Sequence, residues 1–246
     1  MLKGGVQRGS SLNERDKLMY LYYFDRRQNK AHLDAIKSNS ANNISEILVK
    51  TSLKDYNQKK SLGFSLEEIR DLRLARSPHG KPYFEDFLKP YNKEEREVHF
   101  SVSHSGDWWA CIIAEEPVGL DIEDISKKSP KFEAIAKRFF TEEEIKYVDA
   151  YGKEGFFDIW VRKEAYIKFL GTGLSEGLNT FSVIKKDHFT KAICESKDGN
   201  TQGQHIAYLR GAEIMNNIKA AYCTEKDTDI EMNIGLLLNE RKYNKV

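Results

Sequence analysis

The sequence predicts an α+β protein built as two similar lobes, a pseudo-dimer in which each lobe is an antiparallel sheet packed with helices and a cleft lies between them. Three observations predict it. Short runs rich in β-branched and aromatic residues, bounded by turn residues, recur at Leu18–Phe24, His99–Ser105, Trp108–Ala114, Val118–Glu123, His205–Leu209 and Ile218–Cys223. Two stretches, one from Ile44 and a longer one from Phe156, instead place apolar residues at helical spacing. Each half of the chain has a helix followed by several strands and no tandem repeat is visible, which sets a boundary near Glu116.

The first lobe, residues 15–116, begins with the Leu- and Tyr-rich strand Leu18–Phe24, ending at Asp25-Arg26-Arg27. The helix from Ile44 has a one-sided stripe of Ile44, Ile47, Leu48 and Leu53. Ser65-Leu66-Glu67-Glu68 has the form of a capping box, so a helical turn starts there. From Leu72 to Phe84 the chain reads as strand, turn, strand about Ser77-Pro78-His79-Gly80. Residues 90–97 are a polar loop. His99–Ser105 then alternates, with Phe100 and Val102 inward and Ser101 and Ser103 opposite, and Trp108–Ala114 is apolar enough for a central strand.

The second lobe, residues 117–246, opens with Pro117 and the strand Val118–Glu123, giving three consecutive strands read as an antiparallel meander. Residues 131–140 form a short amphipathic helix, and Thr141-Glu142-Glu143-Glu144 restarts one with a second capping box, so that Glu144 has an ordinary explanation as the box glutamate. The longer helix from Phe156 ends at Gly171-Thr172-Gly173, where a glycine permits a left-handed cap. Thr180–Ile184, His205–Leu209, Ile218–Cys223 and Ile230–Leu238 read as strands.

Composition bounds the function. With 31% charged and 40% hydrophobic residues over 246 positions, the chain has the makeup of a folded protein rather than a disordered one. A net charge of +1 supplies no global basic field, so nucleic acid is not an expected partner and any anion site is local. No apolar run approaches the roughly 20 residues that cross a bilayer, and residues 1–14 lack the apolar core of a secretory signal. The three cysteines, Cys111, Cys194 and Cys223, are odd in number, widely spaced and in apolar company, as small core residues in a reducing compartment are. These points predict a cytoplasmic protein with a loose N-terminus and no membrane partner.

Within that frame the carboxylates concentrate in one place. As a strand, Val118–Glu123 puts Val118, Leu120 and Ile122 on one face and Asp121 and Glu123 on the other. Two acids on one face repel unless a cation or open solvent separates them. The longer helix carries Phe156, Phe157, Trp160, Glu164, Ile167 and Lys168 on one side, an apolar stripe with one acid and, a turn later, one base; a surface ion pair is the plain alternative. Lys81 beside the flexible Gly80 can hold a phosphate, or be merely solvated.

In that order, Gly80-Lys81-Pro82, Ser103-His104-Ser105, Gly119-Leu120-Asp121-Ile122-Glu123 and Trp160-Val161-Arg162-Lys163-Glu164-Ala165-Tyr166-Ile167-Lys168 resemble the motifs of the 4'-phosphopantetheinyl transferases, of the longer surfactin-synthetase-activating type. The motifs span about Arg76 to Leu174 and are specific in combination. The resemblance implies transfer of the phosphopantetheine arm of coenzyme A to a serine of an acyl or peptidyl carrier protein, with release of adenosine 3',5'-bisphosphate and with Mg²⁺ as cofactor. It implies that Asp121, Glu123 and Glu164 hold Mg²⁺, that Lys168 lies near the pyrophosphate, and that Glu144 lies near the site. It further implies that Lys81, Ser103 and His104 contact coenzyme A, with the nucleotide on the side of the first lobe, the acids and catalytic helix in the second, and a monomer as the working unit.

The chemistry suits those residue types. Mg²⁺ is hard and combines a few carboxylates with phosphate oxygens and waters. A carrier serine needs a base, for which Glu164 or a metal-held water is the candidate. Where the family presents several bases to the coenzyme A 3'-phosphate, residues 39–50 here offer Asn42, Asn43 and only Lys50, leaving Arg26, Arg27 and Lys30 as substitutes. Another Mg²⁺-dependent phosphoryl enzyme, or a binding lobe without turnover, would use the same acids. The first lacks its phosphate loop here, and the three intact acids speak against the second.

Overall fold

The computed structural model describes residues 19–30, 33–34, 44–85, 98–126, 131–173, 177–185, 188–189, 192–194, 205–215, 217–228 and 230–233. Asn42, Asn43, the expected loop 90–97 and the end of the run to Leu238 lie outside them. The elements in order are β1 (Met19–Asp25), α1 (Ile44–Lys60), α2 (Leu66–Asp71), β2 (Leu74–Arg76), β3 (Pro82–Phe84), β4 (His99–Ser105), β5 (Trp108–Ala114) and β6 (Val118–Asp124). They continue with α3 (Phe132–Phe139), α4 (Glu142–Leu170), a 3-10 turn (Leu178–Thr180), β7 (Ile184–Lys185), β8 (His188–Phe189), β9 (Ala192–Cys194), β10 (His205–Met215), β11 (Ile218–Thr224) and β12 (Ile230–Asn233).

Two four-stranded sheets organise these elements, in the orders β12-β1-β5-β4 and β6-β11-β10-β9. All pairings are antiparallel except that of β12 with β1. Strand alternation decides which way each residue faces. On β1, Tyr20, Tyr22 and Phe24 pack with Leu48, Leu53 and Tyr56 of α1, while Met19, Leu21 and Tyr23 turn to a second core shared with Val118, Leu120 and Ile122 of β6. A third core lies between the far face of the second sheet and the helices α3 and α4, through Phe156, Ile159, Val161 and Tyr166. Both faces of β5 are covered, and all seven of its residues are buried, as its unbroken apolar run requires. The result is an α+β protein whose antiparallel sheets are packed with helices.

Two local expectations are corrected. The three strands from His99 do not form one meander: β4 and β5 pair, but β6 leaves to pair with β11 in the other sheet. The turn at Glu115-Glu116-Pro117 lets β6 bury Val118, Leu120 and Ile122 against the back of the first sheet, a burial that continued pairing in one sheet would forgo. Thr180–Ile184 is a 3-10 turn and the start of the two-residue β7 rather than a strand. The helix begun by the Thr141/Glu144 capping box and the longer one expected from Phe156 run in series as α4 across a kink at Gly152, whose φ is 60° and ψ −140°. The strand β12 pairs with β1 in the first sheet, Met19–Tyr22 against Ile230–Asn233. Cys111 and Cys223 are free and buried, and among the described residues no helix is long and apolar enough to cross a membrane.

Candidate active site

The site forms where β6 meets α4. A Cβ at position 119 would collide with the carbonyl oxygen of Ala165 and the backbone of Phe169, so only glycine lets the strand lie directly on the helix. With Val118, Leu120 and Ile122 turned to the inter-sheet core, Asp121 and Glu123 turn to the opposite face. Glu164 and Lys168 come to the same place from α4. Asp121 Oδ1 accepts from Lys168 Nζ at 2.7 Å and from Ser103 Oγ at 2.8 Å, and Lys168 Nζ also donates to Ser103 Oγ at 2.9 Å.

The electrostatics follow from burial and crowding. Burial pushes the Glu164 carboxyl up to about 7, with the Asp121 charge pushing the same way and Lys168 opposing. Burial also holds the Glu123 carboxyl above its ordinary range, against the pull of the Ser105 hydroxyl bond and with Asp121 adding to the rise. Burial thus penalises the charged form of both Glu123 and Glu164, a penalty that a cation beside them would relieve.

A cavity of about 730 Å³ opens from these residues toward the first sheet. It is lined by Asp121, Glu164 and Lys168, by Ser103 and His104, and by Arg26, Arg76, His79 and Lys81. The hairpin β2–β3 supplies Arg76, His79 and Lys81; Arg76 Nη1 donates to the Gly80 carbonyl at 2.9 Å, and Gly80 has φ +85°. Lys81 spans the joint, donating to the carbonyls of Val118 at 3.3 Å and Phe169 at 3.2 Å, and burial pulls its ammonium down to about 8. His104 is exposed on the cavity wall.

The structure thus brings Lys81, Ser103, His104, Asp121, Glu164 and Lys168 together around one cavity. Glu123 stands beside them, bonded to Ser105 Oγ at 2.7 Å. Glu144, expected near the site, is elsewhere: fully buried, it pairs with Lys163 Nζ at 2.8 Å and accepts from the Thr141 and Val183 N–H groups. Every oxygen is committed to holding the helix start against the following loop, which leaves nothing to offer a substrate. Lys50, the one base of residues 39–50, is held by Glu46 and the Arg70 carbonyl; of its substitutes, Arg26 lines the cavity and Arg27 is held by Asp25. Arg76 and His79 were not singled out by sequence, although both flank the turn that carries Lys81.

Among the described residues no three acids, histidines or cysteines already stand grouped as the ligands of a metal ion, and Lys168 sits on Asp121 instead. The donor set nevertheless fits a hard cation. It is all oxygen, and Asp121 Oδ2 is buried without a hydrogen-bond partner among the described residues.

Known proteins resemble this chain over part of its length. The family model described as the 4'-phosphopantetheinyl transferase superfamily matches residues 117–223, the stretch from Pro117 through β6 and α4 to β11. A 4'-phosphopantetheinyl transferase of Bacillus subtilis is 36% identical over 145 residues, covering 56% of this chain and 60% of the relative. The 4'-phosphopantetheinyl transferase gsp of Aneurinibacillus migulanus is 35% identical over 131 residues, 52% of this chain and 50% of its own. The 4'-phosphopantetheinyl transferase Sfp of Bacillus subtilis strain 168 is 33% identical over 159 residues, 62% of this chain and 63% of its own. The chain therefore spans between half and two thirds of the length of these curated relatives.

Proposed function

We propose that this chain, which resembles the 4'-phosphopantetheinyl transferase superfamily over residues 117–223 and its curated relatives over about half to two thirds of their length, transfers the 4'-phosphopantetheine arm of coenzyme A to a serine of an apo acyl or peptidyl carrier protein. The observation that carries the proposal is the cavity, lined both by the basic residues Arg26, Arg76 and Lys81 with His79, and by the acids Asp121 and Glu164 beside Lys168. A polyanionic nucleotide fits the first, and a pyrophosphate fits the second.

In this reading the serine oxygen forms a bond to the phosphorus next to the pantetheine arm, the pyrophosphate P–O bond breaks, and adenosine 3',5'-bisphosphate leaves with the electron pair. Lys168 is the protein cation at that point, held in place by Asp121 and Ser103. Asp121, Glu123 and Glu164 would hold Mg²⁺, which when bound neutralises charge on the pyrophosphate oxygens. The serine proton would pass to a Glu164 oxygen not taken up by the cation, or to a water beside the cation. Ser103 and His104 orient the phosphates. One chain supplies both walls of the cavity, so we propose a monomer, working in the cytoplasm.

The test is direct. The protein is incubated with coenzyme A, Mg²⁺ and several apo carrier proteins, and the carriers are weighed by mass spectrometry. The expected result is a gain of one phosphopantetheine arm on at least one carrier; no gain on any of them overturns the proposal.

A further inference from the structure

The two sheets meet at β4 and β6 without a backbone ladder. Instead the alternate hydroxyls of β4 bond the N–H groups of β6 in a regular row: Ser101 Oγ accepts from Leu120 N at 3.0 Å, Ser103 Oγ from Ile122 N at 3.3 Å, and Ser105 Oγ from Asp124 N at 3.0 Å. A hydroxyl that accepts from a fixed N–H has its own hydrogen free to aim elsewhere. In the last two members of the row that hydrogen goes to a carboxylate, Ser103 to Asp121 and Ser105 to Glu123 Oε2 at 2.7 Å. Ser101 has no acid opposite and only closes the joint.

The two serine–acid pairs are not equally supported. Asp121 has Lys168 as well as Ser103, so its orientation survives the loss of either. Glu123 sits farther along the strand, outside the residues lining the cavity, with the Ser105 hydroxyl on one oxygen and the Trp160 indole the other side-chain donor near it. A half-buried glutamate with three rotatable bonds needs such a constraint to present an oxygen in one direction.

We propose that Ser105 is a positioning residue of the transferase: it bonds the β6 backbone and Glu123 at once, and so aims the Glu123 carboxylate at the divalent cation shared with Asp121 and Glu164. This rests on the functional reading above, in which those acids hold Mg²⁺. Outer-shell bonds of this kind set ligand orientation, and their loss weakens metal binding by about 10- to 100-fold.

The test uses the full chain with coenzyme A present and titrates Mn²⁺, a spectroscopic stand-in for Mg²⁺, by the paramagnetic resonance signal of the free ion. Ser105→Ala is expected to weaken Mn²⁺ binding by about 10-fold or more. The isosteric pair Ser105→Thr and Ser105→Val isolates the hydroxyl, with Thr close to the unaltered protein and Val as weak as Ala. Equal affinity of the Thr and Val variants overturns the inference, as does loss of folding in both Ala and Val, which would make the serine a structural closure only. An unaltered protein that binds no Mn²⁺ overturns the metal reading itself and this inference with it. Normal Mn²⁺ binding by Ser105→Ala overturns the inference alone.

Discussion

Helix α4 carries two lysines that each meet a carboxylate at almost the same distance, Lys163 with Glu144 at 2.8 Å and Lys168 with Asp121 at 2.7 Å. Their surroundings are opposite. Lys163 and Glu144 are both fully buried; the ammonium also donates to the carbonyls of Leu178 and Phe181, and the carboxylate accepts two backbone N–H groups. Burial pulls the Lys163 ammonium down while Glu144 pushes it back up. Lys168 is 29% exposed on the cavity, and its partner Asp121 keeps one buried oxygen with no hydrogen-bond partner among the described residues. The same pair of groups is therefore a closed structural clamp in one place and an unfinished site in the other. What separates them is not the ion pair but whether every donor and acceptor around it is used.

That difference predicts opposite failures. The largest effect belongs to the closed pair. Lys163→Met strands a buried Glu144 charge and is expected to cost about 3–5 kcal/mol of stability, read as a fall in the urea midpoint with unchanged slope. Glu144→Gln added to Lys163→Met should recover much of that loss. A Lys163→Met protein of normal stability but no transfer would erase the contrast and move this pair into the active site. For the open pair the expectation reverses: Asp121→Ala should lower carrier modification by about 10²- to 10³-fold while the melting temperature stays near that of the unaltered protein. A large drop in melting temperature would mean that Asp121 is a strut like Glu144.

Sequence patterns made the local half of this picture legible and missed the tertiary half. The two capping boxes, the face split of β6 and the left-handed Gly171 at the end of α4 depend on residues within a turn or two of each other, and they are present as expected. Glu144 shows where that kind of reasoning stops. Its box bond to Thr141 was readable from spacing, but its salt bridge to Lys163 joins two sides of a broken helix and is set only when the segment folds back. The departure of β6 to another sheet was hidden for the same reason, since an apolar face does not say which apolar face it will cover. Arg76 and His79 could have been found, because both flank the turn of the hairpin whose Lys81 was already a candidate.

The smallest predicted effect tests the open site through protons rather than by removing a ligand. With the Glu164 carboxyl raised by burial to about 7 from its ordinary 4.5, the folded protein retains a proton that the unfolded chain gives up between those two values. By linkage, this group's contribution is fully favourable below the lower value, falls as pH rises through the window, and stays reduced above it. Glu164→Gln removes the titration. Without divalent cations the variant should therefore gain stability relative to the unaltered protein from about pH 5 to about pH 8, by about 2–4 °C in melting temperature for each kcal/mol involved. Adding Mg²⁺ at the upper pH should narrow the gap, because a cation favours the charged carboxylate that burial penalises. A gap that is flat with pH would show Glu164 titrating as an ordinary surface acid, and the site would then be less enclosed than its contrast with the Glu144 clamp requires.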